Sequence, residues 1–343
     1  MKEITCPVCS SKIDTSVNVS YLNTEEKLSE VSRDVFDFRE LVFCENCGFG
    51  FVVPSIEQND LNLYYKSLYR NSGEKYGIKP RSIIFDKFLI ETRSLSQILL
   101  AKMFREFKKG DSFLDIGGGN GFSSHAVKNL CPGISLFVVE PDEHSRDFLQ
   151  SLGVHLYDGF FSNEPMSDLD DRKFDCILMS HVLEHYNSED IHGVLTHIKN
   201  LMYDNSIFVC EVPVEDVNKH LKQRNAAIPH LSHFSEKSFT LALENAGFEI
   251  KFIGRAGRST EEWWNEQQKL SHPGRIVIFR KLISGLFPLF IKKAIRRIYK
   301  PFTGYSIFNV LSNRDFQYSS NGVYLRAVAV KISDTEKSKD YDK

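Results

Sequence analysis

Between Asp111 and Ile253 the chain alternates short apolar runs with amphipathic stretches, the pattern of parallel strands joined by helices. Strands are predicted at 112–116, 135–140, 154–157, 174–180 (FDCILMS), 206–212 (SIFVCEV) and 248–253. Helices fall between them at about 121–130, 143–151 and 236–246, the last with Ser235 as N-cap and Gly247 as stop. Runs this apolar need cover on both faces, which predicts an α/β fold with a doubly wound parallel sheet. Upstream, a helix is expected from about Ile84 to Phe107, stopped by Lys108, Lys109 and Gly110. Residues 61–77 read as helix and then loop, with Tyr64, Tyr65, Tyr69 and Tyr76 forming either a packed face or part of a lid.

The run GVYLRAVAVKI at 322–332 is the best candidate for a final strand, so 256–320 reads as an insertion before it. From Gln267 to Arg314 there is no Asp or Glu, while Lys292, Lys293, Arg296 and Arg297 are among many cations. Ile276, Phe279, Ile283, Phe287, Phe290, Ala294 and Ile298 recur there at helical spacing, with Pro288 as a kink. Three readings fit such a basic helical insertion: a cap whose lysines are merely solvated, a surface touching an anionic membrane through 275–300, or a clamp on a phosphate-bearing substrate. The closing residues 333–343 are charged and read as a disordered tail.

Length and charge narrow the function classes. At 343 residues the chain has room for one domain with smaller modules attached. Its net charge of −2 supplies no general attraction for nucleic acid. No apolar run follows Met1 and none approaches the length of a membrane span, so the cytoplasm is the expected location, with the inner membrane face as a peripheral alternative.

Four of the seven cysteines form two C-x-x-C knuckles, Cys6/Cys9 and Cys44/Cys47. Two thiolates from each knuckle close the tetrahedral shell of one zinc ion, which makes the predicted site structural and leaves no open position for catalysis. Disulfides or a redox pair are the alternative, disfavoured in a cytoplasmic chain. Cys176 and Cys210 sit within apolar runs and are expected to be small core residues, and Cys131 precedes Pro132 in a connection.

The first strand runs into Gly117, Gly118, Gly119 and Gly121, a turn without side chains that lets backbone and a helix N-terminus approach a ligand. The dinucleotide fingerprint would want a small residue where Phe122 stands, whereas Asp115, Gly117, Gly119 and Gly121 complete the D-x-G-x-G-x-G turn of S-adenosylmethionine-dependent methyltransferases. Glu140 ends the second strand, where a carboxylate can accept both hydroxyls of a ribose.

Together with CGFGFVVP (47–54), HVLEH (181–185) and HFSEKSFTLALENAGFEI (233–250), these motifs resemble class I S-adenosylmethionine-dependent methyltransferases with an N-terminal zinc module, of the sort found with bacterial sugar and surface-polysaccharide genes. The resemblance covers roughly residues 1–255. It implies a seven-stranded Rossmann-like methyltransferase sheet, its last strand antiparallel, with a zinc ribbon at 1–55, a helical linker or lid at 56–110, the cofactor-binding core at 111–255, the basic helical insertion at 256–320 and the last core strand at 321–332. It implies S-adenosylmethionine as cofactor, with Gly117, Gly119 and Gly121 bordering its methionine portion, Asp115 on its amino group, Glu140 on its ribose and residues near Asp158 by its adenine. The long C-terminal domain of sugar C-methyltransferases of this layout is not in the sequence, so transfer to oxygen or nitrogen is expected over carbon.

A sugar hydroxyl is a poor nucleophile while protonated, and a base near neutral pKa is useful; His181, His185 and His233 are the candidates. As a string His181 to His185 is also H-x-x-E-H, a zinc pattern of one protease class, but that pattern needs a helix and this one follows a buried strand. The leading expectation is methyl transfer to a sugar in a nucleotide-linked, lipid-linked or polymeric glycan. An RNA or protein methyltransferase using the zinc module for recognition is the alternative, though acidic residues outnumber basic ones at 13–43, which suits phosphate poorly. A non-catalytic subunit that kept the fold is the third reading.

Overall fold

The computed structural model of the protein describes residues 4–13, 18–20, 35–36, 39–68, 82–214, 230–257, 315, 318 and 322–332. Most of the basic insertion, with the 275–300 segment, lies outside these residues, as do Tyr69, Tyr76 and the tail at 333–343.

The N-terminal module is built from β1 (Ile4–Thr5) paired with β2 (Lys12–Ile13), and from β3 (Asn18–Ser20), β4 (Glu40–Phe43) and β5 (Gly50–Val53) in an antiparallel ribbon. The two knuckles repeat one geometry. Cys6 N–H donates to Ser11 and Cys44 N–H to Phe49, and the residue after each second cysteine, Ser10 or Gly48, has positive φ. At Gly48 a side chain would also run into Ser235, 3.0 Å from the position of a Cβ. Helix α1 (Gln58–Leu63) and a wider turn at Tyr64–Leu68 follow, burying Leu61, Tyr64 and Tyr65. Tyr64 and Tyr65 therefore belong to a packed face.

The helix expected from Ile84 begins instead at Thr92. Strands β6 (Ser82–Phe85) and β7 (Phe88–Glu91) form a hairpin, with Phe85 opposite Phe88 and both turn residues, Asp86 and Lys87, at positive φ. Two consecutive left-handed residues match the twist of a tight hairpin, and they stop any helical register across them. Helix α2 (Thr92–Phe104) then starts on the side chain of Glu91, which accepts from Arg93 and Ser94 N–H.

Seven strands make the central sheet: β8 (Ser112–Ile116), β9 (Ser135–Glu140), β10 (His155–Asp158), β11 (Phe174–Ser180), β12 (Met202–Pro213), β14 (Phe248–Ala256) and β15 (Tyr324–Lys331), with the short β13 (Ser232–His233) joining the ribbon. In sheet order they run β10-β9-β8-β11-β12-β15-β14, and β15 lies antiparallel between β12 and β14. The order reverses between β8 and β11, so a crevice opens above their carboxyl ends, where ligands of open α/β sheets bind. Helices α3 (Phe122–Leu130), α4 (Arg146–Ser151), α5 (Ile191–Asn200) and α6 (Glu236–Asn245) connect the strands. Ser235 caps α6 as expected, accepting from Ser238 N–H.

Alternate residues feed two cores. Leu114 and Ile116 pack with Ile177 and Met179 on one face, while Phe113 packs with Cys176 and Leu178 on the other. Cys176 and Cys210 are fully buried, as small core residues should be. The ribbon is not a separate body: β13 pairs with β5, Ser232 opposite Phe51 and His233 opposite Gly50. Ser235 Oγ donates to the Cys47 carbonyl at 2.6 Å and Asn245 to that of Val8 at 2.7 Å, so both knuckles are tied to the sheet domain.

Candidate functional site

At the end of β8 the chain turns through Gly117, Gly119 and Gly121, all at positive φ. A Cβ on Gly117 would lie 2.4 Å from a methyl of Val182, and one on Gly118 2.6 Å from Val138, so the turn is packed to the point where only glycine fits. Glu140 reaches across from β9: its two carboxylate oxygens accept from Gly119 N–H (2.6 Å) and Asp142 N–H (2.9 Å), which fixes the group beside the turn.

Asp115 is buried beneath the turn, and its Oδ2 has no hydrogen-bond partner. Burial, and after it the charge of Glu140, push its pKa up to about 7. A raised acid is stabilising while protonated, so folding stability falls as pH rises from the ordinary 3.8 through about 7. A cation facing Oδ2 would reverse that cost.

Two cavities share Gly117 and Gly119 as a common wall. One, of about 180 Å³, is lined by Glu140, Phe160, Phe161, His181, His185 and Tyr65 among others. The other, of about 330 Å³, is polar, with Thr92, Arg93, Gln97, Asp115, Ser180 and Asp315 on its walls. One ligand crossing the turn would touch both.

Beside the cavities lies a cluster of buried charge. Glu211 on β12 and Arg326 on β15 are opposite one another in the strand register, both fully buried and joined through Nε and a terminal nitrogen. His181 adds Nε2 at 3.2 Å from Glu211 and Nδ1 at 3.3 Å from Glu184, a third fully buried acid, and Arg93 stands 3.9 Å from Glu211. Burial alone would raise the Glu211 pKa, but Arg326, His181 and Arg93 hold it well below the usual carboxylate range. Burial and Arg93 pull the His181 pKa down, and its contacts with Glu184 and Glu211 outweigh them and raise it. Burial likewise opposes the charge of Glu184, which His181, His185 and His230 together keep below its ordinary pKa.

The three candidate histidines thus differ. His181, itself at positive φ, presents each ring nitrogen to a carboxylate, an arrangement that holds a proton rather than accepting one from a substrate. His185 is on the cavity wall, its ring 5.3 Å from that of Tyr65 and 5.2 Å from that of His230. His233 is buried in β13, with Nε2 3.1 Å from the His230 carbonyl, and lines neither cavity. Asp158 pairs with Arg146 at the surface and also stays outside both; Phe160 and Phe161, just after it, are the residues that line the wall. The sequence reading missed Glu211 and Arg326. Their signal is a lone charge inside each of two apolar strands, IFVCEV and YLRAVAV.

Away from the crevice, the sulfurs of Cys6, Cys9, Cys44 and Cys47 lie within 4.8 Å of one another, with Cys6–Cys47 at 3.6 Å and Cys9–Cys44 at 3.5 Å. A tetrahedral ion with bonds of about 2.3 Å would separate its sulfurs by about 3.8 Å, so these four fit such a shell. The contact between Cys6 and Cys47 draws the Cys6 thiol down to about 5 and pushes the Cys47 thiol up, so the two sulfurs share one proton.

A family model described as a methyltransferase domain matches residues 89–251. The sheet order of the structure runs through the matched segment, which is similar to methyltransferase domains. The matched segment spans the glycine turn, Glu140 and the 181–185 turn, and the match supports an enzyme. No curated protein sequence matches the chain. Among solved structures, mitomycin 7-O-methyltransferase is similar, with 22% identity, 47% of this chain and 48% of that one covered, and a TM-score of 0.38; the chain spans about half of its length. An S-adenosylmethionine-dependent methyltransferase from Clostridium acetobutylicum is similar over 80% of this chain and 99% of its own, at 10% identity and a TM-score of 0.43. Phosphoethanolamine N-methyltransferase 2 of Haemonchus contortus, solved with S-adenosyl-L-methionine, matches 69% of this chain and 52% of its own, at 14% identity and a TM-score of 0.42.

Within the matched segment and the last strand, the Glu211–Arg326 pair can be tested by stability. Arg326→Met strands a buried carboxylate and is expected to cost about 3–5 kcal/mol in urea unfolding, while Glu211→Met with Arg326→Met costs less. A double variant as unstable as the sum of its singles would show that the two side chains do not act as a pair.

Proposed function

We propose that the protein transfers the methyl group of S-adenosylmethionine to a hydroxyl of a sugar in a nucleotide-linked, lipid-linked or polymeric glycan. The observation that carries the cofactor assignment is the pair of carboxylates flanking one glycine turn: Asp115, with a buried oxygen lacking a partner, and Glu140, held by two backbone N–H groups. Asp115 would face the cationic amino group, Glu140 the ribose hydroxyls, and Phe160 and Phe161 the adenine. The cofactor supplies a methyl group already activated on a positive sulfur.

What remains for the chain's own residues is to align the acceptor and exclude water. The acceptor is read as entering by the cavity that His185 lines, while the polar cavity, with Asp115, Gln97, Ser180 and Arg93 on its walls, takes the amino-acid end of the cofactor. Gln97 already donates to Ser180 at 2.7 Å, which fixes that wall. His181 is committed to its two carboxylates and positions them; His185 is the imidazole left to take part in activating the hydroxyl. The four cysteines are read as one structural zinc site, whose ribbon buttresses the 231–235 segment through β13.

Purified protein incubated with radiolabelled S-adenosylmethionine is expected to label a pool of nucleotide sugars and lipid-linked glycans. Label found only in total RNA or in cell protein would overturn the sugar reading. Elemental analysis should find one zinc per chain, lost in Cys47→Ser; metal-free protein that is fully folded would remove the zinc assignment.

A further inference from the structure

Glu184, His185 and His230 bring one carboxylate oxygen and two ring nitrogens within 4.8 Å of one another, a cluster distinct from the four cysteines. Glu184 is fully buried, and neither of its carboxylate oxygens has a hydrogen-bond partner. A buried carboxylate in that state costs several kcal/mol unless cations compensate it, and His181, which Glu211 also shares, supplies only part of that compensation. His181 Nδ1 stands 3.3 Å from Oε1 in ion-pair contact, so Oε2 is the oxygen open to the two imidazoles.

The backbone is arranged to hold the three together. Leu231 N–H donates to the Glu184 carbonyl at 2.8 Å, and Ser232 Oγ to that of Tyr186 at 2.9 Å, which sews the 183–186 turn to the segment carrying His230. That segment is in turn fixed by the ribbon, through Val52 N–H to the Leu231 carbonyl at 3.0 Å. His185 lines the cavity that also holds Glu140 and the glycine turn, so anything bound by these three groups would border the same space.

We infer that Glu184, His185 and His230 form a second, catalytic metal site for a divalent first-row ion, with open positions facing the cavity. One carboxylate and two imidazoles make a donor set of intermediate softness that leaves half of an octahedral shell free, unlike the closed tetrathiolate. Bonds of about 2.1 Å would set neighbouring donors roughly 3.0–3.4 Å apart, so the side chains close on the ion by small rotations. His181, held on its far side by Glu211, orients the ligating carboxylate from behind.

The role of the ion rests on the proposed methyl transfer. An acceptor hydroxyl bound at an open position becomes more acidic and loses its proton to water. Its oxygen lone pair then forms the new C–O bond as the carbon–sulfur bond breaks, and that electron pair neutralises the sulfonium to a thioether. No oxidant or reductant is involved.

The test uses the full chain with its cysteine site filled by zinc, titrated with Mn2+ alone and followed by electron paramagnetic resonance. Soft thiolates disfavour Mn2+, so binding reports on the oxygen and nitrogen site. One Mn2+ per chain is expected in the wild type, with affinity reduced at least tenfold in His230→Ala and binding lost in Glu184→Gln. His230 is partly exposed, so its variant stays informative even if Glu184→Gln fails to fold. Absence of Mn2+ binding, or unchanged binding in His230→Ala, would overturn the site. Mn2+ binding without methylation of any glycan would leave the site standing and sink the acceptor reading instead.

Discussion

A carboxylate with no access to water must be neutralised on the spot, and the crevice end of this molecule is arranged around that requirement at Glu211. Its partners arrive from three directions: Arg326 from the antiparallel neighbour strand, His181 from the turn after β11, and Arg93 from the first turn of α2. Satisfying one buried charge therefore locks together two strands, a loop and a helix that are distant in sequence. His181 passes the constraint on, because the ring that faces Glu211 on one side faces Glu184 on the other. The positive φ of His181 is the local strain accepted for that double contact.

Backbone hydrogen bonds that start beside the same charge cluster dock the N-terminal ribbon rather than leave it tethered. Glu184 fixes the backbone of Leu231, Leu231 is bonded to Val52 of β5, and β5 leads back to Cys47. The ribbon thus serves as a backing for one wall of the crevice. Loss of the ribbon's geometry would be felt at His230 and His185 through backbone hydrogen bonds.

Much of this was legible in the residues. Continuous apolar runs such as FDCILMS mark strands buried on both faces, and DIGGGNG marks a turn in which Gly117 and Gly118 leave no room for a Cβ. The antiparallel last strand was expected, and the register places it between β12 and β14. The hairpin at 82–91 was not read, because its left-handed residues are Asp86 and Lys87 and no glycine announces them. Strand β12 begins at Met202, which pairs with Phe174 ahead of a register shift, and the exposed Tyr203, Asp204 and Asn205 separate it from the apolar run that signals the strand. The charge cluster was hidden for another reason: Glu211 and Arg326 are brought opposite one another only by strand register, a long-range property that local pattern does not encode.

The account stands or falls on a cofactor lying across the glycine turn with its amino group on Asp115. Calorimetric titration of S-adenosylmethionine in two buffers of different ionisation enthalpy measures the protons released on binding. Asp115 is raised to about 7 in the free protein, so facing a cation it should give up close to one proton per site at pH 6 and little at pH 8.5. Asp115→Asn should abolish that release and weaken binding. Tight binding with no proton release at pH 6, unchanged in Asp115→Asn, would contradict the account.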